Sequence, residues 1–338
     1  MLSRIQQKIS RALIKVKVYN QKKTSPDKVY ESIKSKPLLQ QEKSLNEFTK
    51  YILKTGDVDY YQRLLQTLVP TLSIDVASAC FVGNGIGGSS LNTFRKVSTN
   101  KQDYFEKIYF NSSKDFKRIH WLHENILNMM KGTFVVPNLK NYFVGDLVTI
   151  TYFEYLSLTP LDGIENEQNC IQFSRLLYGI TEKNQKEFQK MIVPDYLLSF
   201  KNHFQYAKNI ESIKKSLNFK VFLRLEKRVE ESKRVLTHGD IQKTNAYKDL
   251  TLIDWDTFGF FPIGFEVAFV FYRLLVDGKD EMDFKNWLEV NYKAFIKDED
   301  WESFIFNSHF FLFVFGFQFF QNNNLIDFKT DLFKRLKE

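Results

Sequence analysis

The chain has 338 residues, of which 43% are hydrophobic, 26% charged and 16% aromatic, a composition that excludes a wholly disordered protein. The formal net charge is +8, but the excess is local: residues 1–50 hold twelve basic and four acidic side chains, while the other 288 residues carry 36 of each sign. That electroneutral body, with no nucleic-acid-binding motif, argues against a nucleic-acid partner, and the two cysteines, Cys80 and Cys170, are too few for a disulfide framework or a zinc cluster.

Residues 2–18 are predicted to form an amphipathic helix. Leu2, Ile5, Ile9, Leu13 and Val16 recur at spacings of three and four, and Arg4, Lys8, Arg11 and Lys15 share the other face. Three settings suit such a helix. It can lie in a membrane interface with its cations on anionic head groups, or dock on its own domain or a partner. An organelle transit peptide ranks third, because the first twenty positions hold only two arginines. The basic residues also interrupt any signal-peptide core, so the expected location is the cytoplasm, with peripheral contact at the inner face of a membrane through residues 2–18.

Residues 20–37 read as a polar linker with turn signals at Ser25-Pro26-Asp27, and helical patterns resume from Leu38 to Leu68, ending at Pro70. Three short β-like runs follow, Ile74–Val82, Asn92–Val97 and Tyr104–Phe110. A glycine-rich segment, Gly83–Ser90, joins the first two. Residues 114–130 are predicted helical, and Asp146–Tyr155 is predicted to be a strand. From Leu156 the chain reads mostly as helix, interrupted by loop and strand at Val235–Ile253. The apolar stretch Phe304–Phe320 falls short of the ~20 residues of a spanning helix and is expected to be buried. The fold class is α+β, with a basic helical extension and linker (1–57), a small strand-rich lobe (58–155) and a larger helical lobe (156–338).

The chemistry concentrates in LTHGDIQKTN (Leu236–Asn245) and LTLIDWD (Leu250–Asp256). Asp240 and Asn245 lie five apart on a predicted loop. A short hairpin turning near Lys248-Asp249 would return the chain so that its second strand ends in Asp254. Two carboxylates and an amide can then converge, an oxygen-only set suited to Mg²⁺. One carboxylate is left to orient a hydroxyl nucleophile, and phosphoryl transfer needs little beyond positioning, metal and charge neutralisation.

HGDIQKTN followed by LIDWD resembles the catalytic segment of the aminoglycoside phosphotransferase and choline kinase superfamily, which has a protein-kinase-like fold. The resemblance is strongest from His238 to Asp256, extends from about Ile74 to the C-terminus and does not cover residues 1–50. It implies an ATP- and Mg²⁺-dependent kinase acting on a hydroxyl of a small molecule, with a two-lobe architecture. Asp240 would be the catalytic base or hydroxyl-orienting carboxylate, and Asn245 and Asp254 would bind Mg²⁺. Asp256 would either bind metal too or cap the next segment, and His238 would hold the loop through backbone hydrogen bonds. The strand lysine of the family would be Lys107 in YFEKIYF. Its helix partner would be Glu124, with Asp115 as a rival. Gly85, Gly87 and Gly88, with the hydroxyls of Ser89 and Ser90, would approach nucleotide phosphates. Main-chain atoms of Glu154 and Leu156 would hold the adenine edge. Glu266 stands where the family often has Asp, and is expected to hydrogen-bond the catalytic loop from the next helix.

The acceptor is open at this stage. Trp287, Tyr292, Trp301 and the phenylalanines of 304–320 could cage a quaternary ammonium, although a helix apolar all round is ordinarily core. The acids Asp277, Asp280, Glu281 and Asp283, and Asp298, Glu299 and Asp300, could face a polycation, although helix N-termini favour acids anyway. Surface-polysaccharide or lipid head-group metabolism would suit a membrane-associated kinase. The alternative function is a catalytically silent, kinase-like nucleotide-binding module acting at a membrane or partner. The joint presence of Lys107, Asp240, Asn245 and Asp254 argues against it.

Overall fold

A computed structural model describes residues 25–83, 91, 93–216, 219–278, 283–323 and 325–336. The expected helix over 2–18 lies outside them. The chain divides into two compact units, Met1–Phe116 with Pro137–Leu156, and Lys117–Val136 with Ser157–Glu338.

The first unit is a five-stranded antiparallel sheet with three helices on it. The helices are α1 (Pro26–Lys34), α2 (Leu38–Thr55) and α3 (Val58–Leu68). The strands are β1 (Ser78–Gly83), β2 (Phe94–Ser98), β3 (Asp103–Phe110), β4 (Leu139–Val144) and β5 (Val148–Glu154), in the order β1-β2-β3-β5-β4. Side chains alternate across β3, so Glu106, Ile108 and Phe110 take one face while Lys107 and Tyr109 take the other. Val97, Ile108, Val148 and Ile150 share a core with Val29, Ile33, Phe48, Ile52, Leu64 and Leu68.

That core changes the reading of the N-terminal region. Pro26–Lys34, expected as linker, is a helix whose Pro occupies the first turn, where no N–H is needed. Asp27 opens it, Lys34 closes it, and Val29 and Ile33, four apart, are buried in that shared core. Residues 26–55 are therefore part of the sheet unit, not a separate extension. The first strand begins only at Ser78, later than the expected Ile74, and β4 was not anticipated. Gly145 makes its hairpin turn feasible against α3, since a Cβ there would lie 2.2 Å from the Leu68 carbonyl oxygen.

One charged pair lies inside this unit. Arg95 and Glu106 face each other across β2 and β3 and are fully buried. Arg95 Nε donates to Oε1 at 2.6 Å and Nη2 to Oε2 at 2.5 Å. Tyr152 Oη donates to Oε2 at 2.9 Å, and Arg95 Nη2 reaches Gln62 Oε1 at 2.8 Å.

The second unit is helical, with two small strand pairs. In chain order it contains most of α4 (Asp115–Asn125), then α5 (Leu127–Met130), α6 (Gly163–Lys183), α7 (Gln185–Lys190), α8 (Asp195–Leu198), α9 (Phe204–Ser216) and α10 (Phe219–Glu230). Strands β6 (Arg234–Thr237), β7 (Ala246–Tyr247), β8 (Thr251–Leu252) and β9 (Gly259–Pro262) follow, pairing as β6–β9 and β7–β8. Helices α11 (Phe265–Val276), α12 (Phe284–Tyr292), α13 (Asp298–Asn322) and α14 (Ile326–Arg335) complete it. By length and composition α13 is the one helix among the described residues that could cross a membrane, but Phe304, residues 307–317 and Phe320 are buried in the unit, as expected of a core helix. Phe311 and Phe315 pack on Phe265 with ring centroids 4.8 and 5.1 Å apart. Helix α4 joins this unit through Arg118, whose Nη1 and Nη2 each donate at 2.6 Å, to the carbonyls of Phe258 and Tyr196.

Because breaking one side of a buried ion pair leaves the other charge uncompensated, Glu106→Ala should lower the unfolding free energy by about 3–5 kcal/mol in urea titrations, and a loss below about 1 kcal/mol would contradict the packing described.

Candidate functional site

The β6 strand, Arg-Val-Leu-Thr, is mostly buried and pairs with β9, ending at Thr237 opposite Gly259. The chain then turns through His238, Gly239 and Asp240. His238 is wholly buried, which lowers its pKa to about 4 and keeps the ring neutral. A neutral imidazole donates from one nitrogen and accepts at the other. Nε2 lies 2.9 Å from the Ile253 carbonyl oxygen, and Nδ1 accepts the Asp240 N–H at 3.2 Å. The loop-holding role expected of His238 is what these bonds do.

Gly239 has φ +84°, a conformation costly for other residues, and an added Cβ would sit 2.7 Å from the Thr257 carbonyl oxygen. Its N–H donates to Glu266 Oε2 at 2.9 Å. Glu266 on α11 thus supports the His238–Asp240 loop, as expected, with the longer side chain reaching it. Burial raises the Glu266 pKa to about 7, although the amides of Gly239, His238 and Ile241 pull it down.

Asp240 is the centre of the arrangement. Its Oδ2 accepts from Asn245 Nδ2 at 3.0 Å, and Gln242 Nε2 lies 2.9 Å from Oδ1 and 3.0 Å from Oδ2. Asn245 Nδ2 also reaches the Asp240 carbonyl oxygen at 2.9 Å. Burial raises the Asp240 pKa to about 7, and the nearby negative charge of Asp254 adds to the rise. Asn245, Arg273 and Gln242 act in the opposite direction.

The hairpin brings Asp254 to this loop. Asp249 and Leu250 take positive φ at its turn, Ala246 pairs with Leu252, and the Ile253 N–H donates to the Asn245 carbonyl oxygen at 3.0 Å. Val135 runs beside β8, donating to the Leu250 carbonyl at 2.8 Å and accepting from the Leu252 N–H at 3.0 Å. Asp254 itself is left-handed (φ 64°, ψ 59°), a strained conformation for a non-glycine residue that local packing must hold. Asp240, Asn245 and Asp254 are therefore brought together.

The remaining expected residues are distributed as follows. Lys107 is buried on β3, opposite Thr151, with Nζ 5.3 Å from the Tyr109 ring centroid and 5.7 Å from that of Phe94. Glu124 is exposed on α4 and pairs with His120 at 3.3 Å. Glu154 ends β5, where its N–H donates to the Asn138 carbonyl at 2.8 Å and its Oε2 accepts from Asn138 Nδ2 at 2.6 Å. Leu156 follows it, closing the sheet unit. Asp256 lies in the short turn Trp255–Thr257. Gly85, Gly87, Gly88, Ser89 and Ser90 lie outside the described residues.

Among the described residues no three His, Cys, Asp or Glu side chains group as a metal site. A cation here would instead use two carboxylates and the Asn245 amide oxygen, the donor chemistry a hard divalent ion takes. Sequence reasoning passed over Gln242 and Arg273. Gln242 stands inside the quoted motif, and its proximity to Asp240 was a usable signal. Arg273 is the one cation on α11, which is apolar apart from it, Glu266 and Tyr272, and its effect on Asp240 follows only from tertiary packing.

No protein-family model matches the chain, and no curated protein matches it in sequence. Solved structures do. A type I macrolide 2′-phosphotransferase is 14% identical with a TM-score of 0.45, covering 82% of this chain and 97% of its own. An ethanolamine kinase of Plasmodium vivax is 14% identical with a TM-score of 0.44, covering 88% and 89%. An aminoglycoside phosphotransferase from Streptomyces rimosus, solved with ADP and streptomycin, is 12% identical with a TM-score of 0.43, covering 76% and 97%. The likeness is distant.

The Asp240 pKa sets a pH dependence for the metal-free protein. Between the ordinary carboxyl pKa of 3.8 and about 7 the native state holds a proton that the unfolded chain has released. This contribution to stability is present at low pH and lost as pH rises through about 7, with Glu266 acting in the same sense. In EDTA, urea unfolding should therefore give a stability loss from pH 5 to pH 8 that is smaller in Asp240→Asn than in wild type. An equal loss in both proteins would contradict the environment described.

Proposed function

We propose that this protein transfers the γ-phosphoryl group of ATP to a hydroxyl of a small molecule such as a sugar, an amino alcohol or an aminoglycoside-like compound. The observation that carries the reading is the juxtaposition of Asp240, Asn245 and Asp254, with the half-buried Asp240 carboxylate hydrogen-bonded in place. A carboxylate whose pKa lies near 7 is matched to taking a proton at neutral pH.

In the reaction the acceptor oxygen bonds to the γ-phosphorus as the bond to the β–γ bridging oxygen breaks, and ADP leaves. The hydroxyl proton passes toward Asp240, which also orients the nucleophile. Gln242 and Asn245 fix the carboxylate rotamer. Asn245 and Asp254, with Asp256 as a further candidate, would hold Mg²⁺, which supplies charge neutralisation on the nucleotide phosphates. Lys107, on an apolar strand, suits the α- and β-phosphates. Glu124 is the proposed anchor of that lysine, and the segment with Gly85, Gly87, Gly88, Ser89 and Ser90 is proposed to meet phosphate oxygens. Since the Glu154 N–H is already bonded within its sheet, its carbonyl and the main chain of Leu156 are the groups proposed for the adenine edge.

With Mg²⁺ and ATP, a panel of sugars, amino alcohols and aminoglycosides screened by product mass should yield an acceptor that gains a phosphoryl group. Asp240→Ala should slow its transfer by roughly 10²–10⁴-fold. ATP binding without transfer to any acceptor would instead favour the silent binding module.

A further inference from the structure

We propose that His203, far in sequence from the HGDIQKTN loop, is a positioning residue for Asp240. Its purpose, though not its geometry, depends on the phosphotransferase reading. His203 follows a short turn, Phe200–Asn202, and sits just before α9. Only 4% of it is exposed. Its ring is enclosed by those of Phe204, Phe265, Phe269 and Phe315, at centroid distances of 4.4, 5.0, 5.4 and 5.7 Å.

The hydrogen bonds fix which nitrogen carries the proton. Nδ1 accepts the Gln205 N–H at 3.3 Å, and Nε2 lies 2.6 Å from the Gly239 carbonyl oxygen. A carbonyl oxygen only accepts, so Nε2 must donate. The neutral ring meets both demands, and an aromatic enclosure of this kind disfavours a charged one.

That carbonyl belongs to the peptide that carries the Asp240 N–H, and the N–H donates to His238 Nδ1. The peptide plane immediately before the Asp240 α-carbon is therefore held on both edges by imidazoles, His203 on one and His238 on the other. The preceding peptide is held through the Gly239 N–H by Glu266. Two adjacent peptide planes held in this way fix where the Asp240 N–Cα bond lies, and so the point from which its side chain projects. His203 and Gly239 are both buried, so losing the imidazole donor leaves a buried carbonyl without its partner. Glu266 and His238 are expected supports of such a loop, whereas no feature of the sequence around His203 marks it.

His203→Phe keeps the aromatic packing and removes the donor. His203→Gln restores a donor of similar reach, and His203→Asn provides a second donor variant should the phenylalanine protein fail to fold. Two readouts are needed on the full chain, amide hydrogen exchange and steady-state transfer. His203→Phe should speed exchange across His238–Asn245 roughly tenfold while exchange in α6 and α13 stays at wild-type rates. It should lower kcat roughly 10–100-fold with the KM for ATP nearly unchanged. His203→Gln should recover most of both losses. Unchanged loop exchange in His203→Phe would overturn the proposal whatever the activity, and so would a wild-type kcat in that variant. If exchange rises as expected but the wild type transfers phosphate to no acceptor, the positioning role stands and the phosphotransferase reading fails.

Discussion

The helical unit is organised around one demand: the half-buried carboxylate of Asp240 must keep a fixed direction without being neutralised outright. Burial alone favours protonation, and Asp254 adds like charge. The opposing donors, Asn245 and Gln242, come from the same loop as Asp240, so their value depends on that loop not moving. The groups that fix it are backbone hydrogen bonds to His238, Glu266 and Thr257, whose Oγ1 donates to the His238 carbonyl at 3.0 Å. Gly239 permits the turn, and the hairpin beyond returns Asp254 at the one register where Asn245 meets Ile253.

The phenylalanine-rich helices make that precision possible. Phe265 and Phe269 on α11 and Phe311 and Phe315 on α13 interlock edge to face, an arrangement that aromatic quadrupoles favour. The α11 helix carries Glu266 on one side of this packing, and His203 sits within it. The aromatic enrichment, which might have been taken for a ligand cage, serves here as core: Trp287, Tyr292 and Phe304 are buried against one another. In the sheet unit the corresponding economy is the Arg95–Glu106 pair, which anchors β2 to β3 next to Lys107.

Much of the candidate site was legible because its residues are close in sequence. The Asp240–Asn245 spacing and the hairpin turn near Lys248-Asp249 are local features, and the folded chain keeps them; the second strand is shorter than expected, Thr251–Leu252, with Asp254 two residues beyond its end. The buried helix over 304–320 was legible from its apolar run. What periodicity could not supply was partnership. Pro26–Lys34 looked polar because, apart from Pro26 at its start, only Val29 and Ile33 are buried, and two apolar residues do not stand out among charges. Strand β4 was hidden because its side chains stay mostly exposed at the sheet edge, so it lacks the apolar signal of β5. Residues 117–136 join the helical unit through Arg118, a contact with residues about eighty and one hundred and forty positions away that no local pattern announces.

The proposed division of labour is that Asp254 with Asn245 would hold the metal and Asp240 would hold the hydroxyl. Binding of Mn²⁺·ATP to wild type, Asp240→Asn and Asp254→Asn, followed by the electron paramagnetic resonance of the ion, separates the two directly. Asp240→Asn should bind the complex about as tightly as wild type, and Asp254→Asn should lose at least roughly tenfold in affinity, as expected for removal of one charged ligand. Wild-type binding by Asp254→Asn would contradict the account.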